Sequence, residues 1–380
     1  MPPGHDVIVV GGGPAGSTAA YELALRGVDV LLIDKAVFPR RKCCGGGITL
    51  KTARILGADV LAITQNSISS ATLAFSGSTP FHGEQDGPVM YTVDREDLDQ
   101  FLLRRAEKAG AKVVQGLTVT DISLSAGNMD VVTSEGNYRA EFVVGADGSR
   151  SIVARSANVG NHEQVAGIET EVDVGEADLE TWRSSVLVEL GRTRRGYAWL
   201  FPKKDHLSIG IASPVGEARD LKGHYWQFLD SLGLSRTAVA TWSAGLIPMY
   251  VGKPVVTVGR VALVGDAAGL ADPLTGEGIY NSALSAQLAA PVIQSALLEG
   301  KSDLHAYQTS LAETIGAEIE AARSLSRIIS RIPKKLLTAM NRDSRIWNAG
   351  CSLLRGDTTY RAIKDRVATL GGVYALVRGR

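Results

Sequence analysis

The sequence predicts an α/β protein built from a nucleotide-binding domain, a β-sheet-rich insert and a helical C-terminal region. Three observations carry this. Asp6 to Lys35, DVIVVGGGPAGSTAAYELALRGVDVLLIDK, reads as strand, glycine turn, helix, strand and acid. Long strand candidates crowd Val165–Ile247, with one helix among them. A buried strand returns at Val261–Val264, and the chain is mostly helical from Gly278. The nucleotide-binding domain is therefore expected to be discontinuous, drawn from residues 1–70, 93–160 and 255–300. Residues 71–92 and 161–254 form the sheet-rich substrate domain, and 301–380 the basic helical region. A chain of 380 residues is long enough for two or three domains with a sizeable core.

Asp6–Val10 is a short apolar run of the kind buried on both faces of a parallel sheet. Gly11, Gly13 and Gly16 then form G-x-G-x-x-G. The first glycine suits a tight turn, the second a close backbone approach to a pyrophosphate, and the third close packing of helix on strand. Pro14 suits a first helical position. The helix it opens, with Ala15 in its first turn, points its positive end at the phosphates. Val28–Ile33 is the second strand, and Asp34 ends it at the spacing where a carboxylate meets ribose hydroxyls, with Lys35 following. Alone the glycine motif is weak; the strand before, the helix after and the terminal acid make it a dinucleotide site.

A basic, glycine-rich loop, Lys35–Gly47, comes next, and a helix is expected at Thr49–Leu56. Ile68–Phe75, Thr79–His82 and Val89–Val93 are strand candidates, and Arg95–Ala109 is a helix with Leu98, Phe101 and Leu102 on one side. Lys112–Gln115, Thr118–Ser123, Asp130–Thr133 and Tyr138–Val144 are further strands, the last ending in the turn Gly145-Ala146-Asp147-Gly148. In the insert, Gly167–Val174, Ser185–Leu190, Tyr197–Phe201 and Leu207–Ala212 read as strands and Arg219–Leu232 as a helix, the floor of a pocket.

A second signature is Arg260–Ala283, RVALVGDAAGLADPLTGEGIYNSA. A buried strand delivers Asp266, small residues follow, and Gly276-Glu277-Gly278 opens a long helix. A carboxylate at Asp266 can bind ribityl or phosphate-linking hydroxyls. Backbone N–H groups at Gly278 and Ile279 can face the electron-rich edge of an isoalloxazine and stabilise its reduced anion. The plain alternative is a strand–turn–helix whose Asp is a cap.

GGGPAG, GADG at Gly145–Gly148 and VGDAAG at Val264–Gly269 resemble, in that order, the three motifs of the flavoprotein class that includes the aromatic hydroxylases. The resemblance runs from Asp6 to about Ala290 and implies a Rossmann-like FAD-binding domain. It implies that Asp147 belongs to the FAD site, that Arg95 lies near the FAD diphosphate or adenine side, and that Val119 packs near the adenine. For Arg95 the alternative is an ordinary helix-surface arginine. No second G-x-G-x-x-G has a strand before it and a helix after it, so the reductant is expected to dock transiently, as NAD(P)H or as a reduced carrier such as ferredoxin.

Two further stretches narrow the likeness. RKCCGGG, Arg41–Gly47, and GYAWLFPK, Gly196–Lys203, resemble the K-x-C-G-G loop and Y-x-W-x-F-P-K strand of the geranylgeranyl reductase family. LLRGDTTYRAIKDR, Leu353–Arg366, is similar to that family's tail. The resemblance implies an FAD-dependent oxidoreductase that saturates isolated C=C bonds of prenyl chains in archaeal-type lipids, chlorophyll precursors or quinone tails. An isolated alkene is a poor hydride acceptor and needs a proton as hydride arrives. A thiol with an ordinary pKa of about 8.5 is mostly protonated at neutral pH and can donate or position.

Cys44 matches the family cysteine, while Cys43 is an extra neighbour that leaves the choice between the two open. An inert buried cysteine is the alternative for Cys44. Gly45 and Gly46 would let the backbone come close to the flavin ring. Tyr197, Trp199 and Phe201 alternate along a strand and so face one side. The resemblance makes that face the wall of a prenyl tunnel, with Tyr197 and Trp199 joining Cys44 at the reacting bond; a sheet packing on its own core is the alternative.

Two relatives of the chemistry remain as alternatives. An FAD monooxygenase shares the nucleotide motifs. A flavin halogenase carries G-W-x-W-x-I-P where this chain has Gly196–Pro202, with Tyr197 and Phe201 departing from that pattern. Halogenases also need a lysine in an S-K pair, and Ser67–Val93 holds no lysine.

Composition sets the remaining bounds. A hydrophobic fraction of 45% and a charged fraction of 21% fit a globular protein, and a formal net charge of zero offers nucleic acid no general attraction. Cys43, Cys44 and Cys351 make no disulfide framework or zinc spacing, and a reducing, cytoplasmic compartment is expected. His5, His82, His162, His206, His224 and His305 are scattered, so no metal is assigned. Met1 leads into a strand with no basic region and apolar leader, so no signal peptide is expected. Gly278–Leu298 carries Asn281, Gln287, Pro291 and Gln294 and reads as a buried helix rather than a membrane span.

The neutrality hides an asymmetry. Ala321–Arg380 holds thirteen basic residues against three acids, a net of +10. Leu, Ile and Val interleave with them at helical spacing. Such a segment can lie on the anionic, cytoplasmic face of a membrane, or it can be a solvated face over an apolar packing face.

Overall fold

A computed structural model describes residues 4–75, 78–159, 163–249, 252 and 255–369. His162 and the tail residues Arg378 and Arg380 lie outside the described residues. The chain opens with β1 (Gly4–Val10), α1 (Pro14–Leu25) and β2 (Val30–Asp34). There follow β3 (Gly47–Thr49), α2 (Leu50–Leu56), β4 (Thr64–Ile68), β5 (Ser70–Phe75), β6 (Phe81–Glu84) and β7 (Met90–Val93). Then come α3 (Arg95–Lys108), β8 (Lys112–Gln115), β9 (Val119–Ser125), β10 (Asn128–Thr133), β11 (Gly136–Gly145) and α4 (Ile152–Ser156). The middle holds β12 (Glu163–Val172), α5 (Glu176–Trp182), β13 (Ser185–Leu190), β14 (Tyr197–Pro202), β15 (Leu207–Pro214), α6 (Leu221–Ser231) and β16 (Val239–Met249). Two short strands, β17 (Thr257–Val258) and β18 (Val261–Leu263), precede the helices α7 (Ile279–Glu299), α8 (His305–Leu311) and α9 (Ala317–Ile329). The helices α10 (Pro333–Arg342), α11 (Ser344–Arg355) and α12 (Tyr360–Thr369) complete the described chain.

The chain divides into two compact units. The first comprises Met1–Arg41, Glu96–Glu163 and Ile247–Ile319, and the second Lys42–Arg95, Gln164–Leu246 and Glu320–Arg380. The first unit is built on a sheet of order β17-β18-β11-β1-β2-β8. β1 runs parallel to both β2 and β11, and β11 runs parallel to β18. Val7, Ile8 and Val9 are wholly buried, as a parallel strand covered on both faces requires. Ala15, Ala19 and Ala20 of α1 and Ala286, Ala289 and Ala290 of α7 share this core. Small side chains on both helices permit close packing.

The second unit is built on a sheet of order β16-β12-β15-β14-β13-β5-β6, with a smaller sheet β3-β7-β4. Period-2 alternation gives the larger sheet two distinct faces. Ala198, Leu200, Leu207, Ile209 and Ile211 point to one face and pack against Tyr225, Phe228 and Leu229 of α6. The opposite face carries Tyr197, Trp199 and Phe201, as the alternation predicts.

The two boundaries differ from the division drawn on the sequence. Residues 42–70 travel with the second unit because β3 and β4 both pair with β7. Residues 301–319 travel with the first, where Tyr307 is fully buried and donates its hydroxyl to the carbonyl of Leu263 at 2.8 Å. The strand at Val239–Met249 also went unexpected. Pro248 falls near its end, and β16 sits at an end of its sheet order, where prolines are tolerated.

The basic C-terminal helices keep their apolar side for the protein. Leu337, Met340, Trp347 and Cys351 are buried together with Phe81 and Val186. For α10 and α11 this is the packing reading of the tail; Lys334, Lys335, Arg342 and Arg345 remain outside, with the Arg345 side chain 89% exposed, while Arg355 is half-buried against Gln85. Among the described residues no helix is long and apolar enough to cross a membrane.

Candidate functional site

In the first unit, the three glycine-rich motifs meet at the carboxyl ends of parallel strands, the place where open α/β sheets bind ligands. Gly11 takes φ +102° after β1, a left-handed value that any other residue would adopt only with strain. A Cβ on Gly11 would run into the carbonyl of Ala146, in the GADG turn after β11. Gly16 faces the carbonyl of Gly11 with no space for a side chain, so α1 lies tight against the turn. Gly13 caps α1 with no side-chain acceptor, which leaves the first-turn N–H groups to a ligand.

Asp34, at the end of β2, accepts the N–H of Gly12 at 2.6 Å and that of Ala36 at 2.7 Å. A carboxylate offers about four acceptor sites, so two are left for sugar hydroxyls. Lys35 is exposed. Arg40 was not foreseen as a site residue. Its Nη2 would lie 3.3 Å from a Cβ on Gly13, and it pairs at 3.2 Å with fully buried Asp99. The only sequence signal for it was the basic character of Lys35–Gly47.

Asp147 spends its carboxylate on α4. It accepts from Ser151 Oγ at 2.5 Å and from the N–H groups of Ile152 at 2.6 Å and Val153 at 3.2 Å. Burial pushes its carboxyl above the usual range, against these hydrogen bonds. Val119 is buried in the same core as Phe38 and Ile33. Arg95, half-buried, opens α3.

In the third motif Gly265 lies against Ala15 of α1 and Ser282 of α7. Asp266 Oδ1 lies 3.4 Å from where a Cβ on Gly278 would stand, so the acid and the start of α7 are neighbours. Gly276 takes φ +72° in the preceding turn, and Gly278 caps α7 without a side-chain acceptor. Ile279, the first residue of α7, is buried. Two uncapped helix starts, close-packed glycines and two carboxylates fit the diphosphate, sugar hydroxyls and ring edge of FAD.

In the second unit, the Cys43–Gly47 loop lies on the aromatic face of the sheet. A Cβ on Gly45 would stand 2.6 Å from Trp199 Nε1 and 2.9 Å from the Phe201 ring. One on Gly47 would meet Met90 and Phe201. Gly46 takes φ +68° and sits over the Val93 carbonyl and the Lys203 ammonium. Trp199 in turn lies on Gly210 of β15, directly across the ladder. Trp199 is 6% exposed, and its buried Nε1–H meets no acceptor among the described residues.

The two cysteines differ. Cys44 Sγ accepts the N–H of Gly46 at 3.4 Å. Cys43 turns to the sheet, where its Sγ lies 3.8 Å from the carbonyl of Gly167 and 3.6 Å from a Cβ position on Gly245. Burial pushes the Cys43 thiol up to about 11.

Charged groups missed on the sequence lie beneath this loop. Lys203, at 4% exposed, donates to the carbonyl of Val93 and lies 3.6 Å from Asp94. Burial holds its ammonium below the usual lysine range, against Asp94, Cys44 and Glu169. Glu169, at 9% exposed, receives Ser208 Oγ at 3.0 Å and Ser243 Oγ at 2.7 Å. Burial raises its carboxyl above the usual range.

Comparison with known proteins agrees with this frame. Residues 4–214 match the family described as the FAD binding domain. The menaquinone reductase of Mycolicibacterium smegmatis is 32% identical over 350 residues, 86% of this chain and 84% of the relative. The geranylgeranyl diphosphate reductase of a Synechocystis species is 30% identical over 357 residues, 86% of this chain and 85% of the relative. Among solved structures, a geranylgeranyl bacteriochlorophyll reductase-like protein from Thermoplasma acidophilum shares the fold with a TM-score of 0.78 at 22% identity, over 90% of this chain and 93% of its own. A flavin-dependent brominase shares it at 0.74 and 20% identity, over 93% and 94%. The fold alone therefore leaves the reaction open. The relatives at 30% identity or more and the matched FAD-binding region do not leave the lineage open: the chain belongs to the geranylgeranyl reductase family of FAD-dependent oxidoreductases.

Proposed function

We propose that the protein saturates isolated C=C bonds of a prenyl chain of geranylgeranyl type, carried by a lipid, a quinone or a pigment precursor. Reducing equivalents come from NAD(P)H or from a reduced carrier such as ferredoxin. The observation that carries this reading is the thiol-bearing glycine loop seated on Trp199 and Phe201. The names of the reductase relatives support the substrate class.

Reduced FAD, when bound, supplies the hydride. The chain's own residues do the rest. Gly11, Gly13, Ala15, Gly16 and Arg40 cradle the diphosphate, with Arg95 and Val119 on the adenine side. Asp34 and Asp266 take hydroxyls, and the N–H groups at Gly278 and Ile279 stabilise negative charge on the ring. Tyr197, Trp199 and Phe201 wall the chain's apolar length away from water, where each buried methylene contributes about 0.8 kcal/mol. A thiol of the Cys43–Cys44 pair holds the proton at Sγ for the other alkene carbon. Lys203 holds the loop through the Val93 carbonyl.

The test is anaerobic. The purified protein is reduced chemically and given geranylgeranyl diphosphate, a prenyl lipid or a menaquinone, and products are read by mass spectrometry. Gain of two hydrogens per double bond supports the reading. Product that forms only once oxygen is admitted would instead favour a monooxygenase or halogenase. We further propose that the basic faces of the C-terminal helices hold the protein peripherally on an anionic membrane, which would bring it to such substrates.

A further inference from the structure

On the loop-facing side of the second unit's sheet, three strands place proton-bearing side chains in a row. Glu169 stands on β12, Ser208 on β15 and Ser243 on β16. Ser243 Oγ lies 2.7 Å from Glu169 Oε2 on the strand that carries Gly245, where Cys43 Sγ lies 3.6 Å from a Cβ position, and the Ser243 hydroxyl favours the ionised Cys43 sulfur against burial. Ser208 Oγ holds the other carboxyl oxygen, Oε1, at 3.0 Å. Gly245 leaves the room that brings Cys43 down onto the sheet, where its Sγ lies 3.8 Å from the Gly167 carbonyl. Other charged groups facing Glu169 are Glu171 on its own strand and Lys203, directly after β14, while Tyr225 of α6 acts on it from the other side of the sheet, bonded to Thr170. Glu171 raises the carboxyl and Lys203 lowers it, and burial outweighs both. A carboxyl so placed keeps its proton nearer neutrality than an exposed one does.

We propose that Glu169 is the proton source for the thiol of Cys43, with Ser243 carrying the proton between them. The inference rests on the reading of the protein as a prenyl reductase. Cys43 gives its S–H proton to one alkene carbon as the π bond breaks, and is left as thiolate. Hydride for the other carbon would come from the reduced flavin of that reading. Ser243 passes its hydroxyl proton to the sulfur and takes the carboxyl proton of Glu169. Glu169 is left as carboxylate until water reprotonates it. Glu169 is thus a positioning residue that acts through Cys43. A thiol of high pKa surrenders its proton reluctantly and regains it readily, so a neighbouring acid sets the rate at which it can work.

Two measurements test this. The first needs no turnover. Alkylation of Cys43 by iodoacetamide at pH 8 is followed by peptide mass spectrometry in wild type, Glu169→Gln and Ser243→Ala. Where Glu169 has given up its proton its charge opposes the thiolate, so removing that charge favours the thiolate, and removing the hydroxyl donor disfavours it. Glu169→Gln is expected to react several-fold faster than wild type and Ser243→Ala several-fold slower. A merely loosened structure would speed both. Equal rates, or both variants faster, would overturn the coupling.

The second measurement is anaerobic single-turnover alkene reduction. Glu169→Gln is expected to lose roughly 10²-fold, with Glu169→Asp recovering part of it and reoxidation of the reduced flavin by oxygen unchanged. Undiminished reduction in Glu169→Gln overturns the inference alone. Wild-type protein that reduces no prenyl chain overturns the underlying reading, and the proton supply with it.

Discussion

Gly12 N–H donates to Asp34 Oδ2 across 2.6 Å, so the acid that ends β2 also holds the turn that follows β1. The dinucleotide motif is usually read as a set of ligand contacts, yet part of it is internal structure. Asp34→Ala would leave a buried N–H without its acceptor, which costs about 1–3 kcal/mol. It is expected to lower both the melting temperature and the flavin content. Asp266→Ala is expected to lower flavin content as well, and normal flavin occupancy after gel filtration would refute its role as a ligand.

Gly210→Ala places a methyl in the indole of Trp199. Overpacking of this kind costs about 1–3 kcal/mol. The variant is expected to fold with a lowered melting temperature, an altered tryptophan emission spectrum and slower alkene reduction at full flavin content. Unchanged emission and rate would mean that the aromatic face does not line the substrate.

Cys44 occupies the family position, while Cys43 is the thiol that meets the sheet. Serine at either site keeps the loop's shape. Cys43→Ser is expected to retain flavin and slow alkene reduction. Cys44→Ser should do the same if its thiol faces the alkene. Full activity in Cys44→Ser beside loss in Cys43→Ser would assign the proton to Cys43, and the reverse would restore Cys44.

The raised carboxyl of Glu169 gives stability a direction with pH. A buried acid whose folded pKa lies above its unfolded one contributes stability that is full below the unfolded value. That contribution is lost as pH rises through the folded one. From an ordinary value of 4.5 upward, wild type should therefore lose stability relative to Glu169→Gln. Melting temperatures of the two proteins from pH 4 to pH 8 check this: their difference should move in favour of the variant as pH rises. Parallel curves would show that Glu169 ionises as freely in the folded chain as in the unfolded one.

For α10 and α11 the apolar residues are already spent on Phe81 and Val186, so their membrane contact would be electrostatic. Binding to vesicles containing anionic phosphatidylserine should be strong at low salt and lost near 1 M, where the screening length falls to about 3 Å. Binding that survives high salt would require inserted apolar residues.

Much of the nucleotide unit was legible in the sequence because its demands are local. A turn at φ +102° at Gly11 and a helix start packed at Gly16 restrict residue type within a few positions. Strand alternation likewise told which way Tyr197, Trp199 and Phe201 face, since successive side chains of a strand point to opposite sides. Nothing local marked Glu169 or Ser243, which are 74 residues apart and meet only because β16 lies beside β12. Arg40 and Asp99 meet in the same way across 3.2 Å, and alone each reads as an ordinary charge. The two adjacent cysteines could not be told apart by sequence either, because their difference is which one lies against Gly167 and Gly245. The sequence by itself determined the flavin-binding frame and its family. The order of the strands decided which buried acid, hydroxyl and thiol share one face, because strand pairing joins distant segments that carry no signal of each other.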